Sequence, residues 1–499
     1  MALVLICLVS LFACQRRSFN TDIDAKLHFS VDTVSFDTIF TTIGSATYHF
    51  KVYNTYKQDL EIDEIRLVGG ATSNYRINID GVPELSITNK LLRAQDSMYI
   101  FVDVNIDPTD TNLPFLVEDN ILFNTNGTEQ KVLLQSYGQD AHHVKLGKWG
   151  DVGFVVNENA DTSYFVSINN DTTLAGDKPY LLHNDLVVSD GVELILSEGV
   201  RFYIQKDKNI DIYGSLQANG TVDNPVVFRG HRTDNLFEDT PYDKVPGQWG
   251  VLSLHSTSFD NYLKHTHIRN ALIGLYVDSL SNNGNPKVKL ENCRVENMTS
   301  TALYAVNADV LAENSIFANC EQNIFMIDFG GKYNFTHCTF ANYYDWGSHV
   351  SPSVVIKNYK NEDAAFIPND LQEANFTNCV IAGTALHELW FANKDYDDNL
   401  ISAAYNYTFE NCLLKTDVSS IDTNSVSFKN VIWNKDPLFR SPNEDWDFHP
   451  DTLSLLINAG KATHLISDLN EMPYIDAPEI DAPEIGALEY AGTLEIEEE

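Results

Sequence analysis

The chain has 499 residues, enough for two or three domains with cores of their own. Only 21% of it is charged and 11% is aromatic, which excludes an acidic disordered chain. A formal net charge of −37 excludes a sequence-independent grip on nucleic acid, because phosphate binding needs clustered Lys and Arg.

The first predicted element is the apolar run "MALVLICLVSLFAC" at 1–14, too short to span a bilayer and patterned like the hydrophobic region of an export signal. Its end, Leu11-Phe12-Ala13-Cys14, resembles the lipobox of bacterial lipoproteins. The resemblance implies a signal peptide over 1–13, diacylation of Cys14, and a tether over 14–26. It also implies a place at a membrane of the cell envelope, on the periplasmic or surface face of the outer membrane. Lipid chains hold such a protein because each buried methylene contributes about 0.8 kcal/mol. No other stretch is apolar enough to span.

Residues 27–140 alternate β-branched or aromatic residues with polar ones, as in "ATYHFKVYN", "LEIDEIRLV" and "SMYIFVDVNIDP". Such runs, punctuated by Asn-Gly and Asp-Gly turns, predict a β-sandwich. The order of the phrases, closed by "ILFNTNGTEQKVLLQSYGQ", resembles Hydin-type immunoglobulin-like domains, which implies a spacer or interaction platform. No constellation of chemistry-bearing residues stands out in this region.

Between residues 150 and 435 one phrase recurs: "LKHTHIRN" at 263, "LENCRVEN" at 290, "AENSIFAN" at 312, "FTHCTFAN" at 335, "FTNCVIAG" at 376, "FENCLL" at 409 and "FKNVIW" at 428. Its central column is Thr266, Cys293, Ser315, Cys338, Cys379, Cys412 and Val431. The spacings of 27, 22, 23, 41, 33 and 19 residues are those of a repeat that tolerates loop insertions. Apolar residues also stand three before and two after the column. A straight strand alternates faces with period two, so the column and the residue three before it cannot both point inward unless the chain bends between them. The residue just before the column is His265, Asn292, Asn314, His337, Asn378, Asn411 or Asn430, and Asn readily accepts a left-handed bend. The sequence therefore predicts stacked pairs of bent strands.

Upstream, "LVVSDGVELILSEGVRFYIQKDKNIDIYGSLQANGTVDNPVVFRG" at 186–230 carries Gly191, Gly199, Gly214 and Gly220 at its turns and resembles the opening coils of exported bacterial right-handed parallel β-helix repeat proteins. The fold this implies is all-β: an immunoglobulin-like sandwich followed by a pectate-lyase-like solenoid.

The lipobox resemblance implies that Cys7 leaves with the export signal and that Cys14 is the lipid site, so Cys293, Cys320, Cys338, Cys379 and Cys412 remain to be placed. Neighbouring coils lie about 4.8 Å apart, so Cys293 and Cys338, with the Ser315 coil between them, stand about twice that distance apart. A disulfide needs Cα atoms within about 7 Å. The column is predicted to hold buried free thiols that act as small hydrophobes.

The stretch 436–499, with "NKDPLFRSPNEDWDFHPDTLSLLINAGKA" beginning at 434 and "APEIGALEY" at 482, resembles the closing segment of exported β-helix proteins, which implies a cover over the last open coil. "IDAPE" at 475 repeats at 480, and the chain ends on an acidic tail, "EIEEE".

The richest functional candidates lie in two insertions of the repeat: Tyr343, Tyr344, Trp346 and His349 in the first, then His387, Glu388, Trp390, Phe391, Asp395, Tyr396, Asp397 and Asp398 in the second. Lengthened loops on one side of a solenoid often form its binding face, and aromatic faces suit sugar rings. Tyr343, Tyr344, Trp346, Trp390, Phe391 and Tyr396 are the glycan-binding candidates. "DYDDN" offers Asp395, Asp397 and Asp398 as oxygen ligands for Ca²⁺, and no other cofactor is indicated. The β-helix resemblance admits two readings, because the fold serves adhesins as well as polysaccharide lyases and hydrolases. A noncatalytic scaffold would bind polysaccharide or an envelope protein; an enzyme would draw on Asp395, Asp397, Asp398, His387 and Glu388. No Asp-Asp pair on a coil strand and no lyase or hydrolase phrase is evident in the sequence. His142-His143, expected in a linker, and the pair His265 and His267 are read as structural. The seven Asn-x-Thr triplets, at Asn126, Asn170, Asn219, Asn297, Asn334, Asn375 and Asn406, are read as turn chemistry.

Overall fold

The computed structural model describes residues 18–109, 114–156, 162–237, 240–362, 365–474 and 482–490. The export signal, Cys14, most of the paired "IDAPE" phrases and the acidic tail lie outside the described residues. The chain is all-β with parallel sheets and divides into two compact units, 1–141 and 142–499, so the second begins before the expected residue 150.

Unit 1 is built of two sheets around one core. The 4-stranded sheet runs in the order His28–Phe29, Tyr48–Tyr53, Ser97–Val104, Tyr75–Ile79. The 5-stranded sheet runs Thr33–Phe40, Thr128–Gln139, Phe115–Thr125, Leu60–Leu67, Ser86–Leu92. Alternation places Phe50, Val52, Ile77 and Ile100 of the first sheet against Phe36, Ile65, Phe123 and Leu134 of the second. Asn126 and Gly127, at φ 51° and 84°, make the two-residue turn that joins the longest pair of strands in this unit. Part of the expected tether is not free chain. Ala25 is buried, the Asn126 side-chain amide donates to Asn20 O and Asp22 O, and the Thr128 hydroxyl donates to Ile23 O at 2.7 Å.

Unit 2 begins with His142–Val144, which pairs in parallel with Tyr180–Leu182 and starts an 11-stranded sheet. The His142-His143 pair thus lies in a strand and not in a linker; the His142 ring stacks on Tyr180 and its Nε2 lies 3.2 Å from Asp177. Register then aligns Tyr180, Phe202, Phe228, Ile268, Val295, Phe317, Phe340, Ile381 and Leu414 in one buried column. An 18-stranded sheet closes round the same core. In it Thr301–Glu313 bends through two neighbouring ladders, pairing Tyr304 with Tyr276 and Ala312 with Leu290.

The repeated phrase does what its pattern requires. His265, Asn292, Asn314, His337, Asn378, Asn411 and Asn430 all have left-handed backbones, with φ of 40°, 55°, 47°, 51°, 53°, 51° and 52°. That bend turns both apolar positions inward, so Phe335, Phe376, Phe409 and Phe428 stack at centroid separations of 5.1, 4.6 and 5.8 Å. Upstream, Gly199 supplies φ 73°, and a Cβ on Gly214 would lie 1.9 Å from Val192 O.

The five described cysteines are free and buried. The column accepts Cys, Ser or Thr because a carbonyl two residues back is always available. Sγ of Cys293, Cys379 and Cys412 donates to Glu291 O, Thr377 O and Glu410 O at 3.4, 3.3 and 3.4 Å; Ser315 Oγ donates to Glu313 O at 2.8 Å.

The closing segment departs from expectation. Its described residues do more than cover the last repeat, for they climb back along the row of bends. Asn411 Nδ2 donates to Ala459 O, Asn378 exchanges two hydrogen bonds with the Lys461 backbone, Asn314 Nδ2 donates to Ser467 O, and Glu471 reaches His265 at 3.1 Å. Phe439, Phe448, Leu456, Leu469, Ile485 and Leu488 form with Ile316, Ala341, Val380 and Leu413 a second core on the outer side of the 11-stranded sheet.

Candidate functional site

The insertions do not bring all the predicted aromatics to one surface. Tyr343 packs on Phe439 and Phe448 beneath the closing segment, and Tyr344 is buried. Phe391 lies against Tyr407, Phe409 and Phe428. Tyr343 and Tyr344 are therefore packing residues, whereas Phe391, packed on one side, also lines the cleft beside Trp390. Trp346, Trp390 and Tyr396 remain exposed, at 38%, 55% and 81%. The Tyr396 ring leans on Phe366 at 4.7 Å.

Trp390 stands at a cleft of about 710 Å³ whose lining includes His387, Lys394, Asp398, Tyr407, Asp417 and Asp422. Tyr405 and Tyr407 arrive from the turn before the Cys412 phrase, and Asp417, Ser420, Asp422 and Ser425 from the insertion after it. Stacking brings these separate insertions together, since one rung raises the chain by only about 4.8 Å. The Tyr405 hydroxyl is turned inward and donates to Ile356 O at 2.7 Å; burial holds its pKa well above the ordinary value. The Asp417 carboxyl is held below its usual range by the Ser419 hydroxyl and backbone amide, with a smaller contribution from His387. Nδ1 of His387 is buried without a hydrogen-bond partner. The cleft thus offers an exposed indole face, a half-covered Tyr407, an imidazole nitrogen in need of a partner, and a polar rim.

The expected Ca²⁺ ligands do not converge. Asp395 Oδ1 accepts the backbone N–H groups of Asp397 and Asn399, each at 2.9 Å, and Asp398 pairs with Lys394 at 2.9 Å. The Asp395 carboxylate closes its own turn. Among the described residues no group of three or more His, Cys, Asp or Glu is placed to hold a metal ion. Glu388, one of the enzymatic candidates, is buried beneath the cleft; its carboxylate accepts from Ser353 Oγ and from Ala385 N, and lies 3.2 Å from His349 Nε2. It fastens the Tyr343–Pro352 insertion to the wall and does not face the cleft.

One alignment escapes the sequence. Register carries an outward column through Ser253, Tyr276, Tyr304, Met326 and Val355 to Trp390, and beside it Asp278, Val306 and Asp328. Asp278 and Asp328 are two rungs apart, about 10 Å. Asp328 accepts from the Tyr304 hydroxyl at 2.7 Å and from Lys357 Nζ at 2.9 Å, and Asp278 accepts from Ser279. No Asp-Asp phrase announces this pair because its members lie on different strands.

No family model matches the chain, and no curated protein matches it. Among solved structures, a Vibrio cholerae VesB protease is 11% identical over 22% of this chain and 31% of its own, with a TM-score of 0.16. The ASH/PapD-like domain of human CEP192 is 9% identical over 26% of this chain and 94% of its own, with a TM-score of 0.17. The catalytic domain of a GH87 alpha-1,3-glucanase in complex with tetrasaccharides is 9% identical over 77% of this chain and 87% of its own, with a TM-score of 0.16. At these TM-scores the likenesses assign neither fold family nor activity.

Proposed function

We propose that the chain is a lipid-anchored protein of the cell envelope that binds carbohydrate without cleaving it. In this reading unit 2 is a right-handed parallel β-helix and unit 1 an immunoglobulin-like spacer of the Hydin type. The lipobox-like Leu11–Cys14 supports the anchor, with Cys14 as the acylated residue; among the described residues no helix is long and apolar enough to cross a membrane. The repeated left-handed bends and the parallel ladders support the solenoid.

The observation that carries the binding reading is Trp390, 55% exposed at the cleft, where indole beside the unpartnered His387 nitrogen and a polar rim suits the mixed apolar and hydroxylated surface of a sugar. Asp398, Asp417 and Asp422 outnumber Lys394 there, so the favoured ligand is a neutral glycan. Trp390→Ala should weaken binding in affinity gels by about tenfold, roughly 1.4 kcal/mol, with unchanged circular dichroism. Unchanged retention would remove the cleft as the site.

Hydrolysis is the second reading, and the Asp278 and Asp328 alignment is the observation nearest to it, although a spacing of about 10 Å exceeds the roughly 6.5–9.5 Å between carboxyls that serves inverting hydrolysis. Asp328 is already neutralised by Lys357, which favours binding over catalysis. Reducing ends released by the chain and lost in Asp328→Asn would reverse that preference.

A further inference from the structure

The outer face of the 4-stranded sheet in unit 1 holds a group of residues that the Trp390 site does not use. Alternation turns Tyr99, Phe101 and Asp103 of one strand outward, together with His49 and Lys51 on one side and Arg76 and Asn78 on the other. The rings form a continuous platform. Tyr99 and Phe101 lie 6.0 Å apart with planes inclined by 24°, and the His49 ring is 5.4 Å from Tyr99 and 5.8 Å from Phe101. Both large rings remain more than a third exposed, at 38% and 37%. Lys51 Nζ stands 4.9 Å from the Tyr99 centroid, which fixes one border of the platform.

The other border is polar and recessed. Phe101, Asp103, Arg76 and Asn78 line a cleft of about 720 Å³ that continues past the last strand of the sheet to Ser73 and Leu85. Oδ1 of Asn78, cross-strand from Phe101, is buried and has no hydrogen-bond partner. An unpaired buried carbonyl oxygen is costly, and a ligand hydroxyl would satisfy it. Arg76 stands opposite Asp103 in register, yet no ion pair joins them among the described residues. In a chain of net charge −37, this face sets Lys51 and Arg76 against Asp103, while Asp80 beside Tyr99 is paired with Lys90. Flat rings, a hydroxyl acceptor and a spare guanidinium match the parts of an acidic sugar: a C–H face, hydroxyl groups and a carboxylate.

We propose that this face is a second carbohydrate site, specific for a carboxylate-bearing sugar chain laid across Tyr99 and Phe101 with its acid group at Arg76. Its ligand class differs from that of the Trp390 cleft, and it stands whether or not that cleft binds glycan. The occupant is an extended chain because the platform and the cleft are continuous at Phe101, longer than one ring.

The test titrates the purified full chain with hexamers of galacturonate and of mannuronate, and with the carboxyl-reduced form of each. At least one acidic hexamer should bind about tenfold tighter than its reduced form. The double variant Tyr99→Ala, Phe101→Ala should lose at least tenfold in affinity for it, and Arg76→Gln should lose most of the preference for the acidic form. Trp390→Ala should leave this binding unchanged, which separates the two sites. Because the altered side chains are surface groups, circular dichroism should show all variants folded, and Arg76→Gln keeps both rings should the double variant fail. No binding by any hexamer, equal binding of acidic and reduced forms, or binding indifferent to Arg76→Gln would overturn the proposal. So would self-association of the chain that disappears in the double variant, which would make the face a contact between copies.

Discussion

Asn430 isolates the backbone role of the bend residue, because it is exposed and its side chain has only a 3.5 Å contact with Asn411. A left-handed backbone costs an alanine about 1–2 kcal/mol and costs glycine little. Asn430→Ala should therefore lower stability by about that amount in urea unfolding, while Asn430→Gly should be near neutral. Equal losses would mean that the side chain and not the backbone matters there. The buried thiols make a second prediction. Burial pushes Cys293 and Cys320 up to about 12 from 9.0, so the folded state disfavours their thiolates. An acid whose folded pKa is raised contributes stability that is intact below its unfolded pKa and lost as pH rises toward the folded one. Stability should fall between about pH 9 and 12, and Cys293→Ala should flatten that fall. The five described thiols should resist labelling at pH 8 until denaturant is added; prompt labelling of the folded chain would contradict their placement.

At the scale of elements, the closing segment behaves as part of the wall. Leu456 is fully buried against the outer side of the 11-stranded sheet, so Leu456→Ala should cost about 2–5 kcal/mol although it lies outside the repeats. A loss below 1 kcal/mol in calorimetry or urea unfolding would argue that the segment is only loosely applied. The bends were legible because the property they need, a left-handed φ, selects a residue type, Asn, and so leaves a column in the sequence. The path of the closing segment was not legible, because Ala459, Lys461 and Ser467 meet the bends through backbone groups that no side chain announces. The candidate cleft falls between these cases. Trp390 and His387 were visible in one insertion, but Tyr407, Asp417 and Asp422 join them only through stacking of rungs. Tyr343 was misread because an aromatic in an insertion has the same signature whether it packs inward or faces solvent.

At the scale of the molecule, charge separates the proposed ligands. The formal charge of −37 is spread over a chain whose Trp390 cleft is acidic in its lining, while the Tyr99 and Phe101 face gathers cations. At 1 M salt the screening length falls to about 3 Å, so binding of an acidic hexamer should weaken markedly and binding of a neutral glycan at Trp390 should change little. Equal salt sensitivity of both would contradict the assignment of ligand class. The central claim, binding without cleavage, is tested most directly by incubating the purified chain, Cys14→Ser, with a panel of neutral and acidic polysaccharides and scoring both retention and newly formed ends. The account predicts retention of at least one neutral polysaccharide, lost in Trp390→Ala, with no new reducing or unsaturated ends. New ends, or retention of the neutral polysaccharide indifferent to Trp390→Ala, would contradict it.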